Sequence, residues 1–249
     1  MALALAEPAA GEAPGIVRLS DIRFAWPGKG AFSLAVKDFA LPARQRILLV
    51  GPSGSGKSTF LSLLCGILAP QSGRIEILGR DLTKLGAAAR DACRAEHFGI
   101  IFQMFNLLPY GSVIDNVLLP LSFAPSRRRR ATAGGPAADE AGRLLARLGL
   151  EPSLLHSHSA ANLSVGQQQR VAAARALIGS PEIVVADEPT SALDRDRQGA
   201  FLDLLFAETG AAGAALIMVS HDETLAPRFD RVLRLADIAQ ASRPERGAA

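Results

Sequence analysis

A chain of 249 residues, 49% of them apolar, is long enough for one large domain with an ample buried core. Its longest apolar runs, near 60–70 and 211–219, are broken by Ser, Gly or Pro and fall short of the roughly 18 residues of a membrane-spanning helix. The net charge of +3 owes four positive charges to the arginine run 127–130, and the rest of the chain sums to −1, so no spread-out basic surface for nucleic acid is expected.

Residues 1–14 contain Glu7 and Glu12 with no basic residue before Arg18, which does not fit a secretory signal. They are expected to form a disordered tail, as are 240–249, leaving one domain across 15–239 on the cytoplasmic side of the cell. Cys65 and Cys93 have neither metal nor redox spacing, and Cys65 reads as a small core residue. Strands are predicted at 16–24, 32–39, 46–50, 74–78, 99–102, 183–186, 215–219 and 231–235, with helices following Lys57, Asp139, Ser164 and Arg195. The strands starting at Arg46, Gly99, Ile183 and Ala215 are almost wholly apolar, the mark of a parallel sheet covered on both faces. The earlier strands alternate and are punctuated by Pro27, Gly28 and Gly30, which suggests an antiparallel flank. Leu144, Leu145 and Leu148 carry helical spacing in a stretch without strands, so an all-helical insertion is expected over about 104–163. Within it, 127–136 is expected to be an exposed loop.

Gly51, Pro52, Ser53, Gly54, Ser55, Gly56, Lys57, Ser58 and Thr59 match G-x-x-x-x-G-K-[ST], between an apolar strand and an amphipathic helix. Glycines let the backbone fold so that successive N–H groups point at phosphate oxygens, and the helix N-terminus adds partial positive charge. Lys57 is then expected to bridge the β- and γ-phosphates, with the Ser58 hydroxyl ligating Mg²⁺. The plain alternative is a Gly/Ser loop with a chance lysine. A second strand ends in Asp187 and Glu188, where ligands sit in such sheets. Asp187 suits Mg²⁺ and Glu188 the attacking water. Alone, the acidic pair could be a solvated loop; beside a phosphate loop it is a catalytic candidate. In LSVGQQQR (163–170), Ser164 and Gln167 form a capping box that opens a helix, and Gly166 leaves that anion-attracting end bare.

This last segment resembles the LSGGQ signature of ABC ATPases, and with the phosphate loop and the acidic pair the likeness spans about 16–235. Val165 departs from the commonest signature. The resemblance implies a P-loop NTPase core of mixed α/β class, with a mostly parallel sheet, an antiparallel flank and an inserted helical subdomain. It implies ATP and Mg²⁺ as ligands, Gln103 as a Mg²⁺-sensing residue of the Q-loop, and Asp194 in a D-loop (191–194) that contacts the opposite subunit. It also implies His221 as the γ-phosphate switch and Trp26 as the aromatic that stacks on adenine, for which a core position is the alternative. His156 and His158 read as loop residues and His97 has no assigned role. Residues 99–121, GIIFQMFNLLPYGSVIDNVLLPL, resemble the branch that serves lipoprotein release and macrolide export with FtsX-like permeases.

The family further implies a dimer, most simply a homodimer, with each ATP between 51–59 of one copy and 164–167 of the other. A membrane permease is implied as partner, its coupling helix received by the helical insertion, and the subunit would sit peripherally on the cytoplasmic face of the inner membrane. Met104, Phe105, Leu107, Leu108, Pro109 and Tyr110 are expected to be part of that receiving surface, as an exposed apolar patch. The alternatives are a soluble ABC ATPase acting on nucleic acid or the ribosome and a non-hydrolysing regulator. The chain lacks the long coiled-coil insertion and double cassette of the first, and keeps Glu188 and His221, whose loss would signal the second.

Overall fold

The computed structural model describes residues 15–28, 30–154, 159–191 and 193–242. Strand β1 (Val17–Ala25) pairs antiparallel with β2 (Ser33–Leu41), and a break in alternation at Asp21, φ +49°, lets Leu19 and Ile22 both face inward. The strand β3 (Arg46–Val50), apolar after Arg46, follows and leads through the glycine-rich loop into α1 (Lys57–Leu64). Strands β4 (Ser72–Ile77) and β5 (Arg80–Asp81) extend the antiparallel sheet, and α2 (Ala87–His97) leads straight into β6 (Phe98–Ile101). Between β6 and the long α6 (Val165–Leu177), the described residues form only helices: α3 (Val113–Leu118), α4 (Pro125–Ala131), α5 (Ala137–Arg147) and short 3₁₀ turns. Then come β7 (Ile183–Asp187), α7 (Arg195–Ala212), β8 (Ala215–Ser220), β9 (Arg231–Arg234), α8 (Leu235–Ile238) and β10 (Ala239–Ser242).

The second sheet, in the order β6-β7-β8-β3-β9, is parallel at every pairing. Its strands alternate between two cores. Ile47, Leu49, Ile183, Val185 and Ile217 join Phe39, Phe60 and Leu19 in the layer that holds α1 and the antiparallel sheet. Leu48, Val50, Val184, Ala186 and Leu216 join the helices on the other face. Cys65 sits in the first of these layers, where burial pushes its thiol up to about 12.

The eight expected strands are all present, with ends within two residues of those expected. Three expectations need correction. Residues 240–242 belong to β10, paired with β2, rather than to a tail; 1–14 and 243–249 lie outside the described residues, as do His156 and His158. Helix α2 was not anticipated. Of the exposed loop expected over 127–136, only 132–136 is one: the arginine run falls on α4, and Arg127 is 1% exposed.

The Arg127 guanidinium donates to the carbonyls of Ala176 (2.8 Å), Ile178 (2.6 and 2.9 Å), Phe98 (2.8 Å) and Ala95 (3.3 Å). Three of these carbonyls close the C-terminal ends of α2 and α6, where helix dipoles place partial negative charge. Burial pulls the Arg127 pKa down to about 10, so the group stays charged at neutral pH. Glu96 completes the arrangement by accepting from the N–H groups of Ser126 and Arg127 at the start of α4. Replacing Arg127 by Met should therefore strand several buried carbonyls and cost about 3–5 kcal/mol in urea unfolding. Lysine, without the planar fork, should recover only part of that loss. A change below about 1 kcal/mol in the Met variant would show that water takes over these contacts.

Candidate functional site

Loops at the C-terminal edge of the parallel sheet meet around one pocket of about 400 Å³. The loop after β3 contributes Ser53, Gly54, Gly56, Lys57, Ser58 and Thr59. Gly54 (φ +74°) and Gly56 (φ +106°) hold left-handed conformations that make the turn possible. Lys57, the first residue of α1, is 6% exposed and curls back so that its Nζ donates to the carbonyls of Gly51 (2.7 Å) and Pro52 (3.1 Å). Phosphate oxygens entering the loop would compete with these carbonyls for the ammonium group. Gly51, Pro52 and Ser55 face a neighbouring pocket that His221 also lines.

Asp187 ends β7 and Glu188 follows it, both on the pocket wall. Burial raises the Asp187 pKa and the Glu188 charge pushes the same way, against a hydrogen bond from Ser58 and the pull of Lys57. Glu188 stands 3.7 Å from Lys57 Nζ, and its other oxygen lies 2.9 Å from His221 Nδ1. Its backbone is left-handed, φ +45°, and is held by its N–H bonding the Val219 carbonyl at 3.0 Å. A non-glycine residue in this region costs about 1–2 kcal/mol, and such strain collects at functional positions. Gln103, two residues beyond β6, reaches the same pocket. Ser58, Gln103 and Asp187 thus offer a hydroxyl, an amide oxygen and a carboxylate, the oxygen donors a small hard cation such as Mg²⁺ takes.

Two aromatics close the pocket. Trp26 is 44% exposed and rests edge-on against Phe24, so it is not a core residue. Phe32 also lines the pocket and was missed in the sequence; its place directly across the hairpin turn from Trp26 was the available signal.

The segment 163–170 does not reach this pocket. Ser164 caps α6 as expected: Gln167 Oε1 accepts from the Ser164 N–H at 2.8 Å, and Ser164 Oγ from the Gln167 N–H at 3.4 Å. Nothing lies within 4 Å of a Cβ placed on Gly166, so this helix end is open to an approaching group. Asp194 caps α7 by accepting from the Arg197 N–H; Ala192 of the expected D-loop lies outside the described residues. Two side chains of α6 tie the site together. Gln169 donates to the Pro189 carbonyl beside Glu188 (2.6 Å), and Arg175 holds the carbonyls of Phe105 and Asn106 just past Gln103.

That clamp corrects the expectation of an exposed patch after Gln103. Phe105, with φ +58°, turns back into the core and is 7% exposed, and Leu107 packs beside it. Met104 and Tyr110 remain outside, 80% and 81% exposed.

A family model described as "ABC transporter" matches residues 34–191. The chain belongs to the ABC transporter ATP-binding family. The ABC relatives include an uncharacterized ABC transporter ATP-binding protein, YbbA, from Escherichia coli K12, 40% identical over 84% of this chain and 90% of that protein. The lipoprotein-releasing system ATP-binding protein LolD of Novosphingobium aromaticivorans is 40% identical over 88% and 96%. The macrolide export ATP-binding/permease protein MacB of Rhodopseudomonas palustris HaA2 is 40% identical over 89% of this chain, which spans 33% of that longer protein. Among solved structures, the dimeric post-hydrolysis state of the ATP-binding cassette MJ0796, bound to ADP and Pi, superposes with a TM-score of 0.75 at 30% identity, covering 91% and 98% of the two chains. Family membership makes this ABC cassette an ATPase domain.

The raised pKa of Asp187 has a measurable consequence for the ABC cassette free of nucleotide and metal. A carboxylate whose folded pKa lies above its unfolded value destabilises the fold once it ionises, and the penalty fades as pH falls. Asp187→Asn should therefore raise the melting temperature at neutral pH, by about 2–4 °C per kcal/mol relieved, with the gap closing in acid. A lower melting temperature would mean that Lys57 and Ser58 outweigh desolvation.

Proposed function

We propose that this cassette hydrolyses ATP with Mg²⁺ at composite sites of a homodimer and so drives a separate membrane permease of the lipoprotein-release or macrolide-export kind, from the cytoplasmic face of the inner membrane. One observation carries the reading. The pocket gathers Lys57, Ser58, Gln103, Asp187 and Glu188, while the bare, capped end of α6 does not line it. A second copy that places its Ser164, Gly166 and Gln167 over the phosphates would complete the electrostatic surround.

In that assembly Lys57 and the loop amides hold the β- and γ-phosphates, and Trp26 stacks on the base. Ser58, Asp187 and Gln103 would hold Mg²⁺, which would supply charge neutralisation at the phosphate oxygens. Glu188 orients the attacking water and accepts its proton, and His221, already bonded to Glu188, stands ready to hold the γ-phosphate. Asp194 would meet the opposite subunit. The arginine run offers nucleic acid less than its sequence suggests: Arg127 is buried and Arg130 binds the Gly179 carbonyl (2.7 Å) and Glu182 (3.7 Å), which leaves Arg128 and Arg129 exposed.

The permease is the partner suggested by the LolD and MacB relatives. A groove of about 630 Å³ runs between α2 and the helical insertion, with Phe98, Ile100, Phe102, Leu119 and Phe123 on its walls. Phe123 is 67% exposed there, and the groove is offered as the seat of the permease's coupling helix. Among the described residues, no helix is long and apolar enough to cross a membrane.

Two experiments test this reading. Glu188→Gln should keep ATP binding, lower hydrolysis by about 10²-fold or more, and accumulate an ATP-bound dimer on size-exclusion chromatography. Near-normal turnover would remove Glu188 from its role. Phe123→Ser should spare folding and basal ATPase activity while abolishing co-purification with the permease. Phe105→Ser, by contrast, should cost about 3–5 kcal/mol of stability, as loss of a buried ring does. Undiminished capture of the permease by the Phe123 variant would move the docking site elsewhere.

A further inference from the structure

The register of β1 and β2 pairs Phe24 with Leu34 and Ala25 with Ser33. The next step outward joins the Trp26 N–H to the Phe32 carbonyl at 3.1 Å. Directly opposed residues of an antiparallel pair share a face. Trp26 and Phe32 therefore look the same way from the hairpin's end, and both line the nucleotide pocket. Phe24, two residues back on the same face, meets the indole edge-on with centroids 5.3 Å apart and fixes its direction.

The Phe32 ring also lies directly on the phosphate loop. A Cβ placed on Gly56 would fall 2.5 Å from the outermost carbon of the ring, closer than any real side chain could come. Gly56 immediately precedes Lys57. Phe32 thus touches the loop at its ring and Trp26 through its backbone, and so spans the gap between the phosphate end of the pocket and the exposed indole. A nucleotide with its phosphates on 53–59 and its base on Trp26 must pass its sugar across this ring.

We propose that Phe32 is a second nucleoside-contacting residue, whose ring carries the sugar and the adjoining edge of the base, so that the site holds nucleoside triphosphates in preference to bare polyphosphate. The proposal rests on the reading of this pocket as an ATP site. Two apolar surfaces at the hairpin end would then grip the nucleoside while the loop grips the phosphates. Phe32 would add to the affinity of any ligand with a nucleoside and nothing to that of a ligand without one.

The sole tryptophan of the chain is Trp26, so its emission reports this site alone. Titration of the full-length protein with Mg²⁺-ATP should change that emission, and inorganic tripolyphosphate should displace the nucleotide in competition. In Phe32→Ala the ATP affinity should fall about tenfold, within the range of base–aromatic contacts, while tripolyphosphate affinity stays within about twofold. Phe32→Leu keeps the packing on Gly56 and should show the same asymmetry at a few-fold size. It decides the matter if the Ala variant melts below the assay temperature. An equal loss for tripolyphosphate would show that the ring only braces the phosphate loop, and unchanged ATP affinity would show that the nucleoside does not touch it; either result overturns the proposal alone. Absence of ATP binding by the unmodified protein would overturn the ATP-site reading and the proposal together.

Discussion

A parallel sheet delivers the C-terminal ends of its strands to one edge, and the groups proposed to act on ATP hang from that edge. The phosphate loop leaves β3, Gln103 follows β6, Asp187 ends β7 and His221 follows β8. Strands β3, β6, β7 and β8 can lie side by side because the residues they send into the two cores are apolar on both faces, and a polar residue on either would face a core without a partner. Geometry at the pocket is therefore inherited from packing far below it. Each pocket side chain on this edge needs only a short loop to arrive, and short loops on buried strands leave little room for misplacement.

Helix α6 is the second constraint, and it acts through polar contacts made in an apolar setting. At its N-terminus a capping box presents the signature residues. Along its length Gln169 holds the backbone beside Glu188 and Arg175 holds the backbone beyond Gln103. At its C-terminal end the carbonyls of Ala176 and Ile178 receive Arg127 from the helical insertion. One rigid rod thus touches the loop at Glu188, the loop after Gln103 and the groove between α2 and the helical insertion. Its Ala-rich face allows the close approach: Gly99 of β6 lies so near the Ala176 carbonyl that a Cβ there would stand 2.1 Å away.

What could be read from the sequence follows from the same physics. The parallel strands were legible because burial on both faces writes itself as an unbroken apolar run. The phosphate loop and capping box were legible because their chemistry is local and fixed in spacing. Helix α2 escaped because only Cys93 of its residues is buried, which leaves no apolar stripe at helical period. Strand β10 reads AQAS and is held by backbone pairing to β2, a contact no side chain announces. Arg127 and Phe105 were misread for one reason. Their partners lie far away in sequence, and a charged residue satisfied by distant carbonyls looks, in one dimension, like a solvated one.

The left-handed backbone at Glu188 carries a consequence for anyone who would evolve this protein. Glycine at that position would relieve the strain, so a population selected only for resistance to heat or proteolysis would drift away from glutamate. If Glu188 acts on water as proposed, robustness and turnover pull this single residue in opposite directions. A hardened form of the cassette is thus best sought at positions remote from 187–190, with activity scored in every round, because the residue proposed to position the attacking water is also one the backbone holds under strain.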